Sequence, residues 1–303
     1  MENQTNFDAI IIGGSSAGLS AGMALGRALK KVLIIDSGLP CNRQTPHSHN
    51  FITHDGWKPS EIMEVAKNEL LAYDTVMFSP GLVTEVTDNN GNFKVTVANQ
   101  SIQYIAKKML FATGVKDIMP NIPGFADCWG ISVIHCPYCH GYEYRGKKTG
   151  ILMNSELAAD FAKFIRNWTP DLTLFTNGKA KLTPEQQEQT LKRNIQIVEK
   201  TISSLQHENG HLKSINFTDG TVHLLDALYG RQPFEQHCSI PEHLGCTMTE
   251  QGYIQVDEFK KTSVAGIYAA GDNTTPFRSV AAAVAAGNLA GAMINHEIIN
   301  ESE

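Results

Sequence analysis

The segment FDAIIIGGSSAGLSAGMALGRALKKVLIID, residues 7–36, leaves its stretch of chain few ways to fold. A β-branched run, Ile10 to Ile12, enters the turn Gly13-Gly14-Ser15-Ser16-Ala17-Gly18. An amphipathic helix is predicted from about Ala17 to Leu29, and a second apolar strand, Val32 to Ile35, ends in Asp36. Strand, glycine turn, helix, strand and acid in that order describe a parallel βαβ unit that holds a nucleotide. Gly13 permits the tight turn and Gly18 the close packing of helix on strand. Backbone N–H groups at the helix start would hold a pyrophosphate. Asp36 stands where an acid accepts a hydrogen bond from a ribose hydroxyl. Ser15 takes the middle place of the fingerprint, where a small side chain still allows close approach. A lone loop of this kind could be a glycine turn in an ordinary parallel sheet; the ordered context favours the nucleotide.

The rest of the composition narrows the partners. At 303 residues the chain can form two domains with substantial cores. A formal charge of -6 and the lack of a basic run argue against nucleic acid and anionic membrane surfaces. The start, MENQTNFDAI, shows no export signal, and the Ala-rich stretch from Val280 is too short to span a bilayer. Six cysteines do not make a disulfide scaffold in a chain of this length, so a cytoplasmic location is expected.

Two later segments say which nucleotide. KKMLFATGVKDIMPNIPGF, residues 107–125, is an apolar strand ending in Ala112-Thr113-Gly114 with a Pro-rich crossover after it. SVAGIYAAGDNTTPFRSVAAAVAAGNLAGAMIN, residues 263–295, is a strand ending in Gly271-Asp272, followed by a long Ala-rich helix. With the first loop, these resemble the flavin-binding motifs of the pyridine nucleotide-disulfide oxidoreductase superfamily. The resemblance implies FAD, with Asp272 on the ribityl chain. It also implies that the helix beginning near Ser279 and Val280 points its N-terminus at the flavin ring.

IHCPYCHGYEYRG, residues 134–146, carries Cys136 and Cys139 as a C-x-x-C, the spacing of a dithiol that opens and closes a small disulfide ring. Two bland readings compete: a zinc site completed by Cys238, Cys246, His237 or His243, and a pair of inert thiols. The second half of the chain lacks tightly spaced ligands, which disfavours zinc. Here the resemblance narrows to the low-molecular-weight thioredoxin reductases over essentially the whole chain. The variant Cys-Pro-Tyr-Cys-His-Gly-Tyr-Glu is similar to a subgroup that includes the dithiol oxidases of gliotoxin and holomycin biosynthesis. That resemblance implies Cys139 as the flavin-proximal thiol and Cys136 as the thiol that exchanges with substrate. His140 replaces the reductases' acid and would act as base for an incoming thiol, or it is a turn histidine bonded to backbone. TPHSHNFITHDG, residues 45–56, collects His47, His49, Asn50 and His54; by resemblance Asn50 or His49 touches the flavin, and solvated loop histidines are the alternative. Glu143 caps a helix or pairs with His140, and Cys41 and Cys128 read as core or surface thiols.

In the thioredoxin reductases the inserted domain carries a second loop, G-x-G-x-x-A, for NADPH, with a basic cluster beyond its next strand. The corresponding positions here are Met153, Ser155 and Ala158. Met153 disfavours a tight turn with positive φ, and Glu156 places a carboxylate where phosphate would sit. Beyond LTLF only Lys179 and Lys181 are basic, a poor clamp for a 2′-phosphate.

The expected fold is α/β with two doubly wound three-layer domains. Residues 1–115 and 236–303 form the FAD domain, and 116–235 an inserted central domain. The expected function is FAD-dependent thiol–disulfide exchange through Cys136 and Cys139 without NADPH. Two directions of flow fit: from a small dithiol through FAD to O₂, or from a ferredoxin-like donor to thioredoxin or a small disulfide. An NADPH-dependent thioredoxin reductase and a non-catalytic flavin redox sensor are the rival readings, and the family implies a homodimer.

Overall fold

A computed structural model describes residues 4–89 and 91–302. The chain forms two compact units. The first holds the chain up to Arg43, Pro59–Lys116 and the stretch from Phe234 onward; the second holds Gln44–Lys58 and Asp117–Pro233.

The first unit opens with β1 (Gln4–Ile12), α1 (Ser16–Arg27) and β2 (Val32–Asp36). Then come α2 (Pro59–Leu70), β3 (Val76–Pro80), β4 (Val83–Asn89), β5 (Asn92–Val97) and β6 (Gln103–Phe111). β7 (Val115–Asp117) leads out of it. The second unit continues with α3 (Phe125–Cys128), β8 (Val133–Ile134), α4 (Pro137–His140), β9 (Thr149–Leu152) and α5 (Ala158–Ile165). β10 (Leu172–Phe175), α6 (Pro184–Lys192), β11 (Gln196–Val198) and the hairpin strands β12 (Ile202–Glu208) and β13 (His211–Phe217) follow. β14 (Val222–Leu224) and β15 (Ala227–Gly230) complete it. β16 (Phe234–Gln236), paired with β7, leads to α7 (Ile240–His243), β17 (Ile267–Ala269) and α8 (Val280–Asn300).

In the first unit β3, β2, β1 and β6 run parallel in that order. The far edge of β6 is shared: its first half pairs with β5 of the antiparallel β4–β5 arm, its last residues with parallel β17. Ile10 to Ile12 and Val32 to Ile35 are all buried, as strands covered on both faces must be. α1 ends at Arg27 rather than at the expected Leu29, because Leu29 takes φ 60° and lies exposed.

α8 lies against α1. A Cβ on Gly287 would stand 2.0 Å from the Ala17 carbonyl oxygen, and one on Gly291 would stand 2.6 Å from that of Ala21. The Ser20 hydroxyl donates to the Val284 carbonyl at 2.8 Å. The two backbones therefore touch, and the Ala/Gly composition of α8 is what allows it.

The far end of α8 is fastened by charge. Lys108, 5% exposed, donates to Glu297 at 2.7 Å and to Glu301, while Lys261 and the Tyr268 hydroxyl also reach Glu297. Burial alone would raise the Glu297 carboxyl, but hydrogen bonds from Lys108, Lys261 and Tyr268 hold it down to about 2. Its contribution to stability is therefore full above the ordinary carboxyl range and lost as pH falls through about 2. Lys108→Ala strands Glu297 without its most buried cation and is expected to cost about 3 kcal/mol in urea unfolding at neutral pH.

The second unit is built on a five-stranded parallel sheet, β11-β10-β9-β15-β8, with the antiparallel β12-β13-β14 packed into its core. Residues 44–58, assigned from sequence to the FAD domain, group with this unit. Gln44 donates to the Ala126 carbonyl, Thr45 lies against Gly130, and His49 meets Glu143. Among the described residues no helix is long and apolar enough to cross a membrane.

Candidate functional site

The first candidate site is the glycine loop of the first unit. Gly13 has φ 107°, and a Cβ there would stand 2.3 Å from the Ala112 carbonyl oxygen. Gly18 is as constrained: its Cβ would fall 1.9 Å from the oxygen of Gly13. α1 therefore begins at Ser16, with Ser15 in extended conformation as its N-cap and Ala17 and Gly18 buried in its first turn. The first-turn N–H groups of such a helix have no acceptor within it and point at whatever lies before the loop. Asp36 holds the turn through both oxygens, accepting from Gly14 N–H at 2.9 Å and Gly38 N–H at 3.0 Å. A carboxylate offers about four acceptor positions, so capacity for a ribose hydroxyl is left.

Beside Asp36 opens a cleft of about 530 Å³, with Met63 and Phe78 as apolar walls and Lys67 at its rim. That volume suits an adenosine. None of these three residues carried a local sequence signal; they come from α2 and β3. On the other side of the loop, Gly271 has φ 98° and packs on Ala17. Asp272 follows, with the Cys41 thiol 3.8 Å from its Oδ2. Ala112 ends β6 by donating to the Ile12 carbonyl, and Gly114 takes φ 63°. Asn273, which sequence reasoning passed over, is fully buried. Its amide donates to the Phe111 carbonyl at 2.8 Å and lies 3.4 Å from the Thr113 hydroxyl, tying the ends of β6 and β17 together. Ser279 is the N-cap of α8, accepting from Ala282 N–H at 3.1 Å, and Val280 is the first helical residue. Glycine turn, helix start, acid and adenosine-sized cleft fit a dinucleotide of the FAD kind.

The second candidate site follows β8, at the carboxyl edge of the parallel sheet of the second unit. Pro137 occupies the first helical position of α4, where a missing N–H costs nothing. One turn later Gly141 N–H donates to the Pro137 carbonyl, and Trp168 packs where a Cβ on Gly141 would sit. This turn brings the sulfurs of Cys136 and Cys139 to 2.7 Å, both as thiols. The Cys139 S–H donates to the Cys136 sulfur, and this bond is the main reason the Cys136 thiol is pulled down to about 7. Burial opposes it; N–H groups of Cys139 and Tyr138 add to it. Cys136 is thus the thiolate-forming member of the pair. His140 is driven down to about 4, first by burial and then by His135 and His49, so its imidazole is neutral at physiological pH.

The loop histidines are sorted by the structure. His47 Nδ1 lies 2.9 Å from the Gly56 carbonyl, and His54 packs edge-on to Trp57. His49 sits between Asp55 and Glu143 and edge-on to His140. Glu143 therefore meets His49, where the sequence suggested a cap or His140. Asn50, with φ 61°, gives its N–H to Asp55 at 2.7 Å within this second unit.

The loop after β9 differs from its counterpart after β1. α1 starts three residues beyond Gly13; α5 starts five beyond Met153, with Leu157 as N-cap. Met153 packs into the core, and Asn154 is clamped to the next loop, donating to the Lys179 carbonyl at 2.9 Å and accepting from Lys181 N–H at 2.8 Å. Glu199 accepts from Ala180 N–H at 2.6 Å, putting a carboxylate on the segment that follows β10. Glu156 is exposed and directly precedes Leu157, the N-cap of α5; the acid within the first turn is Asp160. Among the described residues no three metal-binding side chains gather.

Comparison with known proteins agrees with this layout. The model of the pyridine nucleotide-disulphide oxidoreductase family matches residues 7–287. Thioredoxin reductase sirT of Leptosphaeria maculans is 30% identical, covering 97% of this chain and 94% of its own. The crystal structure of an oxidoreductase from Agrobacterium tumefaciens superposes with a TM-score of 0.91 at 35% identity, over 99% of this chain and all of that one. That of HlmI gives 0.92 at 28%, over all of this chain and 95% of that one. With a nucleotide loop in one unit, a poised dithiol in the other and this likeness end to end, the chain belongs to the pyridine nucleotide-disulphide oxidoreductases, as a thioredoxin reductase-like enzyme acting on sulfur groups.

Proposed function

We propose that this enzyme uses FAD to move electron pairs between the flavin and a dithiol or disulfide substrate through Cys136 and Cys139, and that it does so without NADPH. The observation that carries the reading is the contrast between two loops at equivalent places. The loop after β1 is shaped by glycine for a phosphate, whereas the loop after β9 has Met153 packed against the core and Asn154 tied to the backbone of the next loop, with Glu199 beyond. A carboxylate on the segment that would face a 2′-phosphate repels it at short range.

FAD, when bound, supplies two-electron storage. Gly13 to Gly18, Asp36, Ala112 to Gly114, Gly271, Asp272 and the start of α8 are the residues that would hold it. On the sulfur side the chemistry belongs to the chain. A substrate thiol gives its proton to neutral His140, and the resulting thiolate attacks the Cys136 sulfur of the oxidised pair. The Cys136–Cys139 bond breaks, and Cys139 leaves as thiolate. The second substrate thiol then loses its proton and attacks the substrate sulfur of the mixed disulfide; the bond to Cys136 breaks and Cys136 leaves as thiolate, so the substrate closes one S–S bond, gives up two protons, and its two electrons rest on the reduced Cys136–Cys139 pair. The reverse sequence reduces a disulfide.

The test is an anaerobic titration of the purified yellow protein with NADPH, dithiothreitol and reduced ferredoxin in parallel. Dithiothreitol is expected to bleach the flavin absorbance and micromolar NADPH to leave it unchanged. Bleaching by NADPH at that concentration overturns the NADPH-independent reading in favour of an NADPH-dependent reductase. Re-oxidation by O₂ with stoichiometric peroxide marks the oxidase direction; reduction by ferredoxin marks the other.

A further inference from the structure

A helix of a single turn has too few backbone bonds to keep its shape in water, so α4 depends on what packs against it. Its own bonds are long: Cys139 and His140 N–H reach the Cys136 carbonyl at 3.3 and 3.2 Å. Yet this turn holds two sulfurs 2.7 Å apart. The side chain that grips it comes from another element, just past the end of α5.

Trp168 holds both the turn and the segment leaving it. Its indole edge occupies the space where a Cβ on Gly141 would stand, 2.9 Å from Cδ1 and 3.0 Å from Nε1. The ring lies perpendicular to that of Tyr138, the residue before Cys139, with centroids 5.7 Å apart. Its carbonyl accepts from Gly146 N–H at 2.9 Å, which ties down the chain beyond the cysteines. Phe164 of α5 completes the grip, 5.9 Å from the Tyr138 ring and 5.3 Å from that of Trp168. Such tilted and edge-on pairs are the favoured arrangement of aromatic rings. Tyr138 is 60% exposed, so burial gives little reason for its ring. What it offers is an edge for Trp168 and Phe164.

The clamp is itself anchored. Trp168 N–H donates to the Ile165 carbonyl at 3.0 Å, at the last turn of α5. The next residue, Thr169, is buried and places its hydroxyl on the Lys147 carbonyl at 2.6 Å. The indole therefore has a fixed base from which to hold α4.

We propose that Trp168 is a positioning residue for the thiol–disulfide step, clamping α4 through Tyr138 and Gly141 so that the two cysteine sulfurs stay within bonding reach of each other. The inference rests on the thiol–disulfide reading above and names what sets the strength of that disulfide. Closing the ring joins the Cys136 and Cys139 sulfurs and passes two electrons and two protons to an acceptor. With oxidised dithiothreitol as acceptor, its own S–S bond opens to two thiols. Thiols free to swing apart lose that freedom on closure, whereas thiols already held together do not. The clamp thus favours the closed disulfide over the open pair. It also keeps the Cys139 S–H on the Cys136 sulfur, the bond that chiefly holds the Cys136 thiol down to about 7. His140 on the same turn, and Tyr229 of β15, whose hydroxyl both thiols raise, are left in place by the variants below.

The test equilibrates flavin-loaded protein anaerobically with mixtures of reduced and oxidised dithiothreitol. Quenching, alkylation and mass spectrometry then give the fraction closed at Cys136–Cys139, a readout independent of turnover. Trp168→Leu is expected to lower the closure constant about tenfold, which raises the potential of the pair by about 30 mV. Iodoacetamide should show the Cys136 midpoint moving up from near 7 toward the ordinary thiol value of roughly 8.5. Trp168→Phe and Tyr138→Phe keep a ring edge at each place and should stay close to the parent on both readouts. Tyr138→Ala removes the ring that is gripped and should shift both in the direction of Trp168→Leu. A merely structural Trp168 would lower the urea midpoint and leave the closure constant and the alkylation midpoint at parent values; that result overturns the proposal. If Trp168→Leu does not fold, Tyr138→Ala decides alone, and parent values there overturn the clamp. Should Cys136→Ser leave dithiothreitol oxidation intact, the underlying thiol–disulfide reading fails; if Cys136 is required and the closure constant is unchanged, only the clamp fails.

Discussion

Cys139→Ala is expected to give a folded yellow protein whose flavin keeps its oxidised absorbance under anaerobic dithiothreitol, with turnover down by about 10⁴-fold or more. The size of the loss follows from the chemistry: without Cys139 there is no disulfide to open, so the electron pair from the substrate has nowhere to go. The variant also makes a quantitative claim about Cys136. The Cys139 S–H bond is the largest cause holding that thiol down to about 7. Iodoacetamide should therefore alkylate reduced parent protein with a midpoint near pH 7, and Cys139→Ala should move that midpoint upward. Thiolate accumulates above the midpoint, so at pH 7 the variant reacts more slowly even though Cys136 is untouched. Parent-rate turnover in the variant, or an unmoved midpoint, would remove the division of labour between the two sulfurs.

Gly287→Val is expected to be the most damaging change far from either sulfur. A Cβ at this position would lie 2.0 Å from a backbone oxygen, that of Ala17, so no rotamer relieves the clash and the helices themselves must part. The cost should reach at least about 3 kcal/mol in urea unfolding. Ala17 belongs to the first turn of α1, which the glycine loop depends on, so the variant should also purify with less flavin per chain. Ala285→Val, on an exposed position of the same helix, is the control and should change neither measurement. Flavin content and urea midpoint together check the claim; full flavin content with parent stability would contradict the packing described here.

What could be read from sequence and what could not divides along a physical line. Gly13 and Gly18 were legible because a tight turn beside a strand end admits no other residue, and that constraint is local. The closeness of Cys136 and Cys139 was legible because their spacing puts both sulfurs on one turn. The alanines and glycines of α8 were visible as composition, but their reason is α1, and the Ser20–Val284 bond joins positions 264 residues apart. Met153 was readable as the loss of a turn glycine. That Asn154 and Glu199 bond the backbone of the segment after β10 was not, since their partners are distant in sequence. The histidine loop is the clearest case. Its four polar candidates look interchangeable in sequence, and only folding aims His49 at Glu143 while His47 and His54 turn away.

The contact between α1 and α8 sets an order of assembly. The helix that braces the glycine loop is made long after it: Ser20 and Val284, which bond across the contact, are 264 residues apart. At roughly 5–20 residues per second, the ribosome takes on the order of tens of seconds to cover that distance. Late in this interval, once Pro233 has been made, the second unit has its whole sequence available, while β6 still lacks β17 and α1 still lacks its partner helix at Ala17 and Ala21. The thiols of Cys136 and Cys139 can therefore be in place, and open to oxidation, before the first unit has a finished seat for a cofactor. Nascent chains of this architecture pass through a stage in which the dithiol turn is complete and the seat for the flavin is not.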